Sequence, residues 1–248
     1  MIDINTFKSF NNVIFLTEEC KDNSNAYLNI RKKEQRLLSD ADVLKLPNLN
    51  KFEWPQRVKS TNRFLSYIKN KKTSLTILDI GCGNGWFTNK IAETSEHHTL
   101  IGLDINTTEL LQAARLFTSE NLTFVYADLF ECHTIFKERF DIITLNGSIQ
   151  YFENFKNLIS QLNGFLKTKG EIHIIDSPFY VPSEIPKAKE RTLQYYTNLG
   201  YPEMAKSYYH HSNKFVSQFD VLYKRRLLNK IFKTIDSPFM WLRLKKEL

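Results

Sequence analysis

Cysteine is scarce in this chain: Cys20, Cys82 and Cys132 are the three among 248 residues, far apart and never in a C-x-x-C spacing. That pattern excludes a structural zinc site or a disulfide framework as the source of order. A reduced, cytoplasmic protein is the expectation. Long apolar runs are also missing, and nothing approaches the roughly 18–20 residues that span a bilayer. The N-terminal stretch has only a short VIFL patch with acids behind it, without a basic n-region or a small-residue cleavage site. No signal peptide is therefore expected. Internal repeats and low-complexity tracts are absent too. Glycine numbers only eight, which makes a cluster of three within five residues, at positions 81, 83 and 85, the first feature to explain.

What is present is ordinary for a globular chain: 42% hydrophobic and 25% charged residues, enough to bury a substantial core. The net charge of +7 is uneven. Residues 224–248 carry eight Lys/Arg against two acids, and residues 1–70 carry twelve against eight, while the middle is net acidic. Basic ends suit either a solvated rim or an acidic, phosphate-rich partner.

From Ser74 onward short apolar strands alternate with amphipathic helices. SLTILDI, TLIGLDI, LTFVYAD, FDIITLN and EIHIID read as strands. Between them lie helices over NGWFTNKIAETS, over TTELLQAARLFTS (capped by Thr107 or Thr108), around ECHTIFKER, and over NFKNLISQLNGFLKTKG, ended by Gly170. A further helix over SEIPKAKERTLQYYTNLG is ended by Gly200. Such alternation requires right-handed crossovers and a mostly parallel sheet covered on both faces. SQFDVLYKRR and SPFMWLRLKK read as two strands pairing antiparallel at one edge. Residues 1–70 form a helical lid or extension. Ser39 is an N-cap before a helix stopped by Pro47, and Val58, Phe64, Leu65 and Ile68 form one helical stripe.

In an open α/β sheet, ligands bind beyond the carboxyl ends of the strands, and a glycine-rich first turn lets a ligand approach the backbone. A dinucleotide site wants G-x-G-x-x-G or G-x-G-x-x-A, with a small third residue for helix–strand packing. Here that third position is Trp86, so the dinucleotide reading fails.

The stretch D-I-G-C-G-N-G resembles motif I of the class I S-adenosylmethionine-dependent methyltransferases. The likeness continues through Asp104 at the end of IGLDI, Asp128 in YADLF, the strand FDIITLNGSIQYF, and LNGFLKTKGEIHIID. It runs in order over residues 75–176. It implies a Rossmann-like α/β fold with a seven-stranded, mostly parallel sheet and an antiparallel C-terminal hairpin, over residues 71–248. An insertion at about 177–217 separates strands five and six. The implied cofactor is S-adenosylmethionine. Asp79, Gly81, Cys82, Gly83 and Gly85 would form its loop, and Asp104 with Ile105 would hold the ribose. Asp128 with Leu129 would meet the adenine, and Asn146 with Gly147 the amino group. No metal is expected.

For the acceptor side the sequence offers Tyr151 just past the fourth strand of the motif series and the insertion residues Tyr208, Tyr209, His210 and His211. Tyr151, His210 and His211 are the catalytic candidates, with a histidine as general base. Tyr27, Arg31 and Arg63 are candidates for lid or carboxylate contacts. No D/N-P-P-Y/F/W motif follows the strand, and no cysteine nucleophile stands there. The chain is thus most similar to the small-molecule group that resembles the quinone-biosynthesis methyltransferases. The partner expected is a small organic methyl acceptor. Two alternatives stand beside it: an RNA- or protein-modifying enzyme docking through basic ends, and a non-catalytic cofactor-binding subunit.

Overall fold

A computed structural model describes residues 7–19, 24–51, 54–225 and 235–247; Cys20 lies outside them. The chain opens with two short strands, β1 (Lys8–Phe10) and β2 (Val13–Phe15). Three helices follow: α1 (Ser24–Lys33), α2 (Asp40–Val43) and α3 (Trp54–Lys69). The alternating part then runs β3 (Thr76–Ile80), α4 (Trp86–Ala92), β4 (Thr99–Asp104), α5 (Thr107–Leu116) and β5 (Leu122–Tyr126). It continues through α6 (His133–Phe136), β6 (Phe140–Asn146), α7 (Phe155–Phe165), β7 (Leu166–Ile175) and α8 (Ile185–Leu199), and ends on β8 (Asp220–Tyr223) and β9 (Trp241–Lys245).

The nine described strands form one sheet in the order β1-β2-β5-β4-β3-β6-β7-β9-β8. Strands β3 to β9 are the seven expected, with β9 antiparallel to both β7 and β8. The added pair β1–β2 joins at the β5 edge, β2 parallel to β5. Helical patterning alone did not signal these strands, because three-residue pieces are too short to show a period.

Strand β3 alternates as a doubly covered strand must. Ile77 faces the core shared with Phe64 of α3 and Phe87 of α4, while Leu78 and Ile80 face the core shared with Phe136 and Phe165. Chain order reverses between β3 and β6: β4 and β5 lie on one side, β6 and β7 on the other. The crevice at that switch point is where this architecture takes ligands.

Two expected boundaries differ. Helix α7 ends at Phe165, not at Gly170; β7 follows at once, and Lys169, with φ +64, takes the left-handed position where the register of β7 against β6 shifts. Gly170 is needed for space, since a Cβ there would lie 2.9 Å from Leu166 Cδ2 and from the Lys167 carbonyl. Helix α5 is capped by Asn106, whose side chain accepts from Glu109 N, and not by a threonine. Gly200 does close α8, with φ +82. Ser39 does cap α2, accepting from Asp42 N.

Candidate active site

The glycine turn starts where β3 ends. Asp79 is buried and accepts from two threonine hydroxyls, Thr88 Oγ1 of α4 and Thr144 Oγ1 of β6, each at 2.7 Å. One carboxylate thus ties the strand before the turn to the helix after it and to the strand alongside. Burial pushes its pKa up to about 6, against the pull of the two hydroxyls.

Gly81, Gly83 and Gly85 all have positive φ, at 69°, 53° and 73°. They are required for different reasons. A Cβ on Gly81 would lie 2.6 Å from Ser148 Cβ. One on Gly85 would lie 2.5 Å from the Phe124 ring and 2.7 Å from Ala113 Cβ. Protein closes both positions. At Gly83 the nearest atom is 3.4 Å away, a carboxylate oxygen of Glu109. Of the three, only this middle glycine would carry a Cβ at ordinary contact distance and without a clash. Cys82 is a buried filler whose thiol packs toward Gly102, and burial holds its pKa well above the ordinary range.

Asp104 ends β4 beside the turn. It accepts from Gly83 N at 2.8 Å and Asn106 N at 2.9 Å, and each oxygen keeps a further lone pair. Burial raises its pKa despite these bonds. Ile105 follows at 63% exposure, an apolar side chain left bare at the mouth of the crevice. The Ala127 N–H donates to the Asp104 carbonyl, so Asp128 emerges alongside. Asp128 is exposed and caps the short turn Leu129–Glu131 through Phe130 N, with Leu129 buried beneath it. Asn146 and Gly147 end β6, and Ser148 Oγ fastens this end to the Ile80 carbonyl at 2.8 Å. Asn146 Oδ1 is buried with no hydrogen-bond partner.

Helix α1 crosses above this floor. Tyr27 OH donates to Glu109 at 3.4 Å, and Arg31 Nε donates to Tyr27 OH at 3.0 Å. Burial, then Asp104, raises the Glu109 pKa to about 7. The far end of α1 is held by the insertion: Lys33 Nζ donates to the Leu199 carbonyl at 2.7 Å, and Glu34 accepts from Tyr195 OH. A chain of tyrosine rings runs between them. Tyr151 meets Tyr27 edge-on at 6.2 Å and Tyr208 at 6.3 Å, and Tyr208 meets Tyr196 at 6.5 Å.

The two histidines of the insertion separate by environment. His211 is buried against Phe155, with Nε2 3.2 Å from the Ile149 carbonyl. His210 lies between the rings of Tyr180 and Tyr208, with Nε2 2.9 Å from Thr192 Oγ1 and Nδ1 without a partner. Burial, then the nearby Lys189 and Arg191, lowers the His210 pKa. Among the described residues no cluster of His, Cys, Asp or Glu fits a metal ion, and no helix is long and apolar enough to cross a membrane.

A family model described as a methyltransferase domain matches residues 71–234. The chain belongs to the class I S-adenosylmethionine-dependent methyltransferases. Among curated relatives, malonyl-(acyl-carrier protein) O-methyltransferase 2 of Ilyobacter polytropus is 30% identical over 107 residues, 43% of this chain and 40% of that protein. The malonyl-(acyl-carrier protein) O-methyltransferase of Buchnera aphidicola is 29% identical over 139 residues, 56% and 53% of the two chains. This chain therefore spans 40% and 53% of the lengths of those two relatives. Two solved structures share the fold. The CurJ carbon methyltransferase has a TM-score of 0.62 at 14% identity, covering 92% of this chain and 68% of that one. An S-adenosylmethionine-dependent methyltransferase from Methanococcus maripaludis has a TM-score of 0.50 at 16% identity, covering 94% and 98%.

In this methyltransferase the structure places Tyr27 and Arg31 beside Glu109, in the helix that follows Asp104. Arg63 lies elsewhere. It forms a two-pronged pair with Asp236 and stacks 3.8 Å over the Tyr223 ring, joining α3 to the segment before β9. The arginine that does reach the crevice from α3 is Arg57, whose Nη2 lies 2.9 Å from where a Gly147 Cβ would stand. Sequence reasoning also passed over Glu109. Its one signal was an acid in the first turn of the helix after Asp104, which the ordinary helix-dipole account already explains.

Proposed function

We propose that this methyltransferase transfers the methyl group of S-adenosylmethionine to a small organic acceptor held in the tyrosine-walled space beneath α1. The carrying observation is that α1 is braced on both banks, by Tyr27 to Glu109 and by Lys33 and Glu34 to the insertion. A roofed space suits a small molecule better than a polymer strand.

The residues present fit the cofactor. Gly83 has room above a backbone that a larger side chain would fill, Ile105 is bare, and Asn146 Oδ1 lacks a partner. When bound, S-adenosylmethionine supplies a methyl carbon activated by a sulfonium. Around it, Asp79 holds the turn of Gly81, Cys82, Gly83 and Gly85 in shape, and Asp104 offers its remaining lone pairs to ribose hydroxyls. The bare Ile105 would pack against the adenine, with the Leu129 backbone nearby, and Asp128 would accept from its amino group. Asn146 and Gly147 stand at the methionine end. The chain's main task is then alignment and exclusion of water.

On the acceptor side Tyr151 is 42% exposed and forms part of the wall. His210, whose pKa is lowered by burial and then by Lys189 and Arg191, carries the Nδ1 without a partner that takes the acceptor's proton. His211 positions the Ile149–Tyr151 turn through the Ile149 carbonyl. The curated relatives are named as O-methyltransferases, which supports oxygen as the first acceptor atom to test.

The described part of the basic C-terminus, on β9, supports this reading over docking on a nucleic acid. Lys245 stands opposite Glu171 in the strand register, and Lys246 Nζ donates to the Leu166 carbonyl at 2.8 Å and lies 3.8 Å from Glu138, at the end of β7 opposite the crevice. Arg243 is engaged by Asp220 and Glu171. Incubating the protein with methyl-labelled S-adenosylmethionine and host extract tests the proposal. Label in the small-molecule fraction is the expected result; label confined to RNA or to protein side chains overturns it.

A further inference from the structure

Tyrosine hydroxyls are spent in two ways in this protein. Tyr27 donates to Glu109, Tyr67 to Glu171, Tyr195 to Glu34 and Tyr223 to the Ser237 carbonyl. Tyr196 of α8 and Tyr208 have no hydrogen-bond partner for theirs among the described residues, although Tyr196 is only 8% exposed. Neither oxygen is sealed from solvent, so a bound molecule can reach both. The two rings lie 6.5 Å apart, and Tyr151 stands 6.3 Å from Tyr208. Burial, then Tyr180, Tyr151 and Tyr196, raises the Tyr208 pKa; burial, then Tyr151, raises that of Tyr196. Both phenols therefore keep their protons and can donate.

A phenol can also accept, and the charge around it decides which it does. Arg31 acts on Tyr196 and Arg36 on Tyr208, while Lys189 and Arg191 act on the adjoining His210. The acid in reach of Tyr196 is Glu34, which already accepts from Tyr195 OH and faces Arg31 at 3.5 Å. These cations need not touch a ligand: they set a positive potential, and the phenols supply the contacts. Such surroundings repel an ammonium group and favour an anion. A phosphate dianion is better met by a bare guanidinium fork, and Arg31 is engaged by Tyr27 and Glu34. A carboxylate, with one charge over two oxygens, suits two neutral donors.

We propose that the methyl acceptor is a carboxylic acid whose carboxylate accepts hydrogen bonds from the Tyr196 and Tyr208 hydroxyls. The assignment rests on the small-molecule reading above and narrows its substrate class. Tyr208 also meets the His210 ring at 5.2 Å, so the acid is held beside the candidate base. Tyr196 and Tyr208 act on specificity: they choose and orient the acceptor, and the cofactor supplies the methyl. The carboxylate has two possible parts in the transfer. Its own oxygen can take the methyl from the sulfonium, giving an ester and a neutral thioether with no proton released. Otherwise it anchors the molecule while a hydroxyl elsewhere takes the methyl and gives its proton to His210.

The labelled product made by the full chain from methyl-labelled S-adenosylmethionine and host extract tests this by its chemistry. Label that mild alkali releases as volatile methanol marks a methyl ester, and upholds the proposal with the carboxylate as acceptor. Alkali-stable label upholds it with the carboxylate as anchor, provided an anion exchanger holds the product at about pH 8 and frees it at about pH 2, below the carboxyl range. A neutral, alkali-stable product, or one still held at low pH as a phosphate would be, overturns it. Label in RNA or protein side chains instead removes the small-molecule reading, and this assignment with it. Tyr196→Phe and Tyr208→Phe keep the rings and remove only the hydroxyls. Each is expected to slow transfer roughly tenfold at limiting extract, the scale of a lost hydrogen bond to a charged group. Calorimetric affinity for S-adenosylhomocysteine should stay within about twofold, which also shows that the variants are folded. Unchanged transfer in both variants, or an equal loss of S-adenosylhomocysteine affinity, overturns the proposal.

Discussion

Residues 79–128 supply the floor of the crevice almost unaided: the buried Asp79, the glycine turn, Asp104 with Ile105, and Asp128 all come from three successive strand ends. The wall above is assembled otherwise. Tyr27 comes from α1, Tyr151 from the turn after β6, Tyr196 from α8 and Tyr208 from the segment beyond it. The floor is held by backbone geometry and by hydrogen bonds to carboxylates. The wall is held by edge-on ring contacts and by the two braces of α1. A floor made of neighbouring strand ends keeps its shape when one contact is lost, because the sheet register still aligns the rest. A wall made of four distant segments changes locally and independently of the floor. Cofactor affinity and acceptor handling should therefore be separable by mutation.

The largest expected effect tests whether the floor is one unit. Gly85→Val adds a Cβ into Phe124 and Ala113 at a positive φ, so urea unfolding should show a loss of about 3 kcal/mol or more, from strain and overpacking together. Gly83→Ala meets only Glu109 at 3.4 Å, and should cost about 1 kcal/mol of stability while still blocking cofactor binding. Equal destabilisation by the two would remove the distinction between packing and ligand glycines.

Next in size is Asp104→Ala. It removes the acceptor for Gly83 N and Asn106 N as well as for the ribose, and calorimetry should show cofactor binding weakened by about 2 kcal/mol or more. Tyr208→Ala sharpens the comparison from the other side. Methyl transfer should fall at least tenfold by the label assay, with cofactor affinity within about twofold, since Tyr208 touches Tyr151, Tyr196 and His210 and none of the floor residues. A parallel loss of cofactor affinity would mean that floor and wall are coupled.

The smallest effect lies where the floor meets α1. Glu109 has its pKa raised to about 7 from an ordinary 4.5, by burial and then by Asp104, with Tyr27 and Arg31 also facing it. A carboxyl raised on folding contributes stability that is complete below its unfolded pKa and is lost as pH rises through its folded one. Between about pH 5 and pH 7 the protein should therefore lose stability on this account. Glu109→Gln should flatten that slope, raising the melting temperature by a few degrees at pH 7.5 and leaving it unchanged at pH 4.5. An unaltered slope would mean that Glu109 is solvated and does not hold α1.

Legibility in the sequence followed the same division. The glycine turn could be read because strand, turn and helix are contiguous, and Trp86 at the third small position alone removed the dinucleotide alternative. Asp104 and Asp128 could be read because each ends a strand of the same parallel set. Arg63 and Arg57 could not be told apart, since both lie on α3 two turns apart at most. Only packing sends one to Asp236 and the other to Gly147. His210 and His211 are adjacent letters. Their difference, a free Nδ1 against a ring tied to a carbonyl, arises from what Thr192 and Ile149 bring to them. The β1–β2 pair was hidden because its pairing energy comes from the β5 edge, which lies more than a hundred residues away.

By itself the sequence determined the parallel sheet and its order of strand-end acids, because these rest on local periodicity and on backbone that needs glycine, and its motifs resembled a family whose cofactor is S-adenosylmethionine. The tertiary structure alone decided at which glycine of the turn a Cβ would not clash, which arginine overhangs β6, and which histidine keeps a ring nitrogen without a partner. Those outcomes depend on distances between segments far apart in the chain. No local preference encodes such distances; they exist only once the cores on both faces of the sheet have closed.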